Sequence, residues 1–173
     1  MNALELASLL VGLAGSGQGH DAKPEDAMKN VSFMVGDWKG KQTFTTPTGT
    51  MVGDASDHVE FAVGGRFIEE HLSTTLPNRS PTDTRHMLAY DPKTGKYVAY
   101  WFNDTSSLPM ILSGKLEGSK LVLQSSPSTA PGAPARPTLR FTYEGSSANE
   151  LSLTFEMETA GSWQLLFKSV YTK

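Results

Sequence analysis

Residues 150–173 read ELSLTFEMETAGSWQLLFKSVYTK, and they decide the class of fold. Leu151, Leu153, Phe155 and Met157 alternate with Glu150, Ser152, Thr154, Glu156 and Glu158, the period of two of a strand with one dry and one wet face. Thr159-Ala160-Gly161 interrupts the run, and a glycine takes the left-handed position that ends a three-residue hairpin loop without a Cβ penalty. That loop predicts the cross-strand pairs Met157–Trp163, Phe155–Leu165 and Leu153–Phe167, with all six side chains on one apolar face.

The same signals recur upstream. Leu139, Phe141 and Tyr143 alternate with Arg140, Thr142 and Glu144. In DPKTGK, residues 91–96, Pro92 opens a turn and Gly95 takes its left-handed position. A four-residue loop there pairs Tyr90 with Tyr97, Leu88 with Ala99 and His86 with Trp101. Further β runs cover Trp38–Thr46, Met51–Val63, Arg66–Leu76, Leu108–Leu116 and Lys120–Ser125. One helix precedes them: Pro24 fits its first position, Glu25 and Asp26 its first turn, and Met28, Val31 and Phe33 are spaced helically up to Gly36. The Pro-rich stretches Pro77–Thr84 and Ser126–Pro137 read as loops. About ten short strands joined by local turns would leave two open edges unless the sheet closes. The expectation is an all-β fold, a single closed antiparallel up-and-down barrel over residues 23–173 with a short N-terminal helix.

Composition excludes several classes of function. The 173 residues carry 15 Lys and Arg against 18 Asp and Glu, a net charge of −3, with no basic stripe for a phosphate backbone, so no nucleic acid is expected as a partner. With no cysteine, disulfides, thiolate catalysis and Cys-ligated metals are ruled out. No apolar run reaches membrane-spanning length. Residues 1–22 read as a flexible leader or a weak signal-like segment. Leu6–Ala14 is apolar, yet MNALE before it has no Lys or Arg and carries Glu5. That pattern points to a soluble chain and favours the cytoplasm slightly over secretion or the periplasm. The run GSGQG at Gly15–Gly19 has neither a preceding strand nor a following lysine and reads as a linker, not a phosphate loop.

The order of these features carries a resemblance. Val35-Gly36-Asp37-Trp38-Lys39-Gly40 opens the first strand. Gly64-Gly65-Arg66-Phe67, then Ala89 through Tyr97 (AYDPKTGKY), then Tyr100-Trp101-Phe102-Asn103 follow. Over roughly Glu25 to Lys173 the chain resembles the lipocalin-like (calycin) barrels, and within them a mainly bacterial family of uncharacterised function. The resemblance implies a closed barrel with an internal cavity and brings no catalytic residue. More distantly, Gly36-Asp37-Trp38-Lys39-Gly40 is similar to the Gly-x-Trp-x-Gly opening of the nitrobindin group, which ligates haem through a histidine late in the chain. Here the histidines are His20, His58, His71 and His86, with none later, so haem and any other cofactor are not expected.

Three sets of residues are candidates for function. In HVEFAVGGRFIEEH, residues 58–71, a two-residue turn at Gly64-Gly65 pairs Val63 with Arg66, Ala62 with Phe67, Glu60 with Glu69 and His58 with His71. His58, Glu60, Glu69 and His71 then share one side of the sheet, a set able in principle to hold a divalent metal or act as an acid–base pair. The opposite face holds Val59, Phe61, Val63, Ile68 and Leu72, broken by Arg66 and Glu70. Being more apolar, that face should look inward, leaving the polar cluster on the outer wall and no metal site. His86, Tyr90, Tyr97, Trp101 and Asn103, joined by Trp163, form an aromatic face suited to a small-molecule pocket. Trp38 is expected to plug one barrel end. No Gly-x-Ser-x-Gly or His-Glu-x-x-His occurs. The leading expectation is binding of a small apolar or amphipathic molecule inside the barrel. The rivals are an enzyme using the His/Glu cluster and a ligand-free interaction module.

Overall fold

The computed structural model describes residues 23–104, 106–126 and 137–173; the apolar leader, the Gly15–Gly19 run and most of the second Pro-rich loop lie outside the described residues. Helix α1 (Pro24–Lys29) is followed by a 3₁₀ turn at Ser32–Met34. Ten strands then run to the end: β1 (Gly36–Thr46), β2 (Gly49–Ala62), β3 (Phe67–Thr75), β4 (Thr82–Asp91) and β5 (Lys96–Asn103), then β6 (Met110–Glu117), β7 (Lys120–Ser125), β8 (Leu139–Ser147), β9 (Glu150–Thr159) and β10 (Ser162–Thr172).

Each strand pairs antiparallel with its neighbour in sequence, and β1 pairs with β10 from Lys39↔Thr172 to Phe44↔Phe167, closing the barrel. Closure leaves no edge strand unpaired, the liability a long meander must remove. Where β1 and β10 meet, Gly40 admits the partner backbone: a Cβ there would stand 1.9 Å from the Val170 carbonyl oxygen. Alternate residues of the strands fill the lumen, among them Val59, Ile68, Leu88, Leu121, Leu123, Phe141, Leu151 and Leu153.

A six-residue helix is marginal by itself, and α1 is held by what it covers. Met28, Val31 and Met34 are buried against one end of the barrel. Tyr97 donates its O–H to the Ala27 carbonyl at 2.8 Å. Trp38 is 1% exposed and donates its indole N–H to the Met34 carbonyl at 2.7 Å, while Lys173 Nζ lies 4.5 Å from its ring centre. No helix among the described residues is long and apolar enough to cross a membrane.

Two expected turns differ in detail. Thr159 pairs with Ser162, so the β9–β10 turn has two residues, Ala160 and Gly161, both left-handed at φ 51° and 79°. These values match the primed hairpin turn, with Ala160 paying the strain that glycine avoids. Shortening the loop by one residue moves each partner by one and turns it to the other face. Trp163 therefore pairs with Glu158, and Leu165 with Glu156, on the outside. A bulge at Leu166 restores the inward phase, giving Phe167↔Phe155 and Ser169↔Leu153. In the 58–71 hairpin the ladder stops at Ala62↔Phe67. Val63 and Arg66 belong to the loop instead of pairing, and Val63 is itself left-handed at φ 48°. The remaining pairs, including Glu60↔Glu69 and His58↔His71, stand as the pattern predicts.

Candidate functional site

The end of the barrel away from α1 opens into a cavity of about 310 Å³. Its walls include Gln42 and Phe44 from β1, Leu72 and Thr74 from β3, Thr84 from β4, Trp101 and Asn103 from β5, and Phe167 from β10. Most of these are inward positions of their strands, so the period of two that builds the barrel also builds the cavity. Thr74 donates its hydroxyl to Gln42 Oε1 at 2.5 Å, a buried polar contact on one wall. A larger cleft of about 550 Å³ lies beside the mouth, between the β5–β6 and β7–β8 connections. The lumen cavity is bounded mostly by inner-face positions of the strands, and the candidate site is placed there.

Aromatic rings lead inward from this mouth. Phe44 and Phe167 have centroids 5.5 Å apart, Phe167 and Phe155 5.1 Å, and Phe155 stacks on Phe141 at 4.2 Å. Trp101 closes the series, edge-on to His86 at 4.5 Å. Such tilted and offset contacts suit rings with negative faces and positive edges.

Beneath Trp101 the lumen turns polar. Glu70 Oε2 lies 2.6 Å from His86 Nδ1 and 2.7 Å from the Tyr143 hydroxyl, and those two groups are themselves 2.7 Å apart. The triangle is satisfied when both Nδ1–H and O–H donate to the Glu70 carboxylate. Burial opposes ionisation of Glu70, but the His86 side chain and the hydrogen bonds from His86 and Tyr143 outweigh it and hold the carboxyl below its ordinary value. Tyr143 is pushed well above the usual phenol range by burial first and the Glu70 charge second, so it keeps its proton and remains a donor. Asp57 is 2% exposed. Burial, then the neighbouring Glu70 charge, raises its carboxyl well above the carboxylate range. Neither Asp57 oxygen meets hydrogen-bond geometry with a protein group, although Glu70 is near enough to act on it. Tyr171 is raised in the same way by burial and then by Asp57.

The structure sorts the residues expected from sequence. Trp101 and Asn103 line the mouth. His86 lies one level deeper, its ring under Trp101. Tyr90 and Tyr97 meet edge-on at 5.3 Å toward the α1 end, where Tyr97 anchors the helix. Trp163 is not luminal: it stands on the outer wall with the Arg140 guanidinium 4.0 Å over its ring, because of the shorter β9–β10 turn. His58, Glu60, Glu69 and His71 also face outward, and they do not converge on one point. His58 Nδ1 meets Asp37 at 2.6 Å with its Nε2 3.9 Å from Glu60, whereas His71 Nε2 meets Asp83 at 2.6 Å and Glu69 meets Arg85 at 3.3 Å. Among the described residues, no group of three or more His, Asp or Glu is placed to hold a metal ion. Haem does not fit beside the luminal histidine either. The void bordered by His86, Glu70 and Tyr143 is about 10 Å³, room for one water and far too small for a porphyrin.

Asp57, Glu70, Tyr143, Ser169 and Tyr171 were not among the expected residues. Their signal was present: each is a polar group at the parity of an otherwise apolar strand face, as Glu70 is between Ile68 and Leu72.

The model of a family described as "Protein of unknown function (DUF1579)" matches residues 23–173. Thirteen chains of known structure match the fold. One of them is the crystal structure of Rv2717c from M. tuberculosis, with a TM-score of 0.62 at 20% identity over 85% of this chain and 96% of that one. A search of curated proteins found no match.

Proposed function

The chain belongs to the DUF1579 family, and we propose that it binds a small amphipathic molecule in the mouth of its barrel. The carrying observation is the cavity of about 310 Å³, whose walls combine Phe44, Leu72, Trp101 and Phe167 with the amides and hydroxyls of Gln42, Thr74, Thr84 and Asn103, and whose exposed rim carries Arg79 and Asp104. Mostly apolar walls with a few placed polar groups, at the mouth of a barrel, are the usual make-up of a small-molecule site. The lipocalin-like reading of the fold belongs to this proposal, as does residues 23–173 acting as the single functional unit. The aromatic series from Phe44 to Trp101 supplies the surface for the apolar body of the ligand, and a soluble carrier or sensor is the role such a site serves.

Native mass spectrometry of the full chain titrated with decanol tests the reading. One bound molecule per chain is expected, with binding weakened about tenfold or more in Met51→Trp, which narrows the mouth. Undiminished binding in that variant would place the ligand elsewhere and overturn the proposal.

A further inference from the structure

Resting on that reading, we propose that the lumen beneath the mouth recognises the ligand's head group, and that this head is neutral and both donates and accepts hydrogen bonds: a hydroxyl or a carboxamide. The observation is a concentration of buried polar atoms that fall outside hydrogen-bond geometry with any protein group, with Asp57 near Glu70 and Ser169 near Tyr171. Trp101 Nε1, His86 Nε2, Ser169 Oγ, Tyr171 OH, Glu70 Oε1 and both Asp57 oxygens are buried and meet hydrogen-bond geometry with no protein group. Ser169 and Tyr171 lie near enough to influence each other, yet outside that geometry. Native interiors pair the great majority of such atoms, and leaving one unpaired costs the full loss of its hydration. Every side chain in the group is more than nine-tenths buried; Trp101, at 6% exposed, is the least so.

Their order along the barrel separates head from tail. Trp101 is part of the cavity wall. Ser169 pairs across strands with Gln42, another wall residue. Glu70 and His86 sit deeper, in register with each other and with Trp101. An apolar body in the mouth thus has its inner end at Trp101 and Ser169, with the deeper polar groups beyond.

The donor and acceptor inventory selects the head. The Trp101 indole only donates, the Ser169 and Tyr171 hydroxyls donate or accept, and the free Glu70 oxygen only accepts. A carboxylate head would bury a second negative charge beside the Glu70 carboxylate, whose partner His86 Nδ1 is already engaged at 2.6 Å. An ammonium only donates, so it has no lone pair for the Trp101 donor. A hydroxyl or carboxamide satisfies both kinds of orphan and brings no charge.

The test is isothermal titration of the full chain with decanol, decanamide, decanoate and decylamine at neutral pH, which holds the body constant and varies the head. Decanol and decanamide should bind about tenfold or more tighter than the two charged molecules. In Ser169→Ala the neutral-head advantage should shrink several-fold; thermal denaturation of the variant checks its fold. Equal affinity for all four heads would overturn the head-group site and leave the mouth reading standing. Preference for either charged head would also overturn it. If none of the four binds, the mouth reading itself fails. The head comparison in the unmodified protein decides the matter even where the variant does not fold.

Discussion

Replacing Asp57 with Asn tests whether the barrel interior stores a proton. Asp57 is 2% exposed, and burial, with the Glu70 charge second, raises its carboxyl well above 3.8. An acid whose pKa is raised on folding holds its proton more tightly in the folded state. Its contribution is therefore complete below about 3.8 and is lost as pH rises through the folded value. One proton sets the steepest slope at about 1.4 kcal/mol per pH unit. Asn keeps the shape and the hydrogen-bonding ability of the neutral acid and does not titrate. The variant should match the wild type in acid and gain on it as pH rises, by up to about 1.4 kcal/mol per unit, until the folded pKa is passed. Urea unfolding followed by tryptophan fluorescence, in small steps from about pH 4 to about pH 8, measures the gap. His58, raised by its hydrogen bond to Asp37, changes both proteins alike and cancels in the difference. Glu70 works the other way: its carboxyl is held below 4.5, so its contribution is present above that value and is lost on acidification. A gap that stays constant with pH would refute the stored proton, and so would a variant uniformly weaker than the wild type.

Three further outcomes follow from the same coordinates. Gly40→Ala should cost about 3 kcal/mol or more in chemical denaturation, since its Cβ would stand 1.9 Å from a backbone oxygen that closes the barrel. Tyr143→Phe removes a buried donor to Glu70 at 2.7 Å and should cost about 2 kcal/mol by the same measurement. His58→Ala and His71→Ala, on the outer wall with solvent-exposed acidic partners, should leave both the melting temperature and decanol affinity unchanged; loss of binding in either would bring back the outer cluster as a site.

Strand order and barrel closure were legible because they follow from local signals. Period-two patterning, Pro92 and Gly95 in the β4–β5 turn, and the Gly64-Gly65 pair set the registers of two hairpins. The β9–β10 turn departs from the expected three-residue loop ending at Gly161 because Ala160 takes a left-handed conformation that a Cβ disfavours. That one-residue change moved Trp163 from the lumen to the wall. The polar centre of the barrel was harder to read. Asp57, Glu70, Tyr143 and Tyr171 come from four strands, and each alone resembles a stray polar residue on an apolar face. Only closure of β1 on β10 brings Tyr171 into the same lumen as Asp57 and Glu70. Parity alone marks such residues as inward, whereas their meeting depends on strand tilt and on which residues face across the lumen.

The most direct measurement of the central claim is an NMR titration of the full chain with decanol, following backbone amides and the three indole N–H signals. The mouth reading predicts that the largest shifts fall on Gln42, Phe44, Thr74, Thr84 and Phe167 and on the Trp101 indole, with the Trp38 and Trp163 indoles unmoved. Shifts centred on Trp163 and the outer wall, or none at saturating decanol, would contradict it.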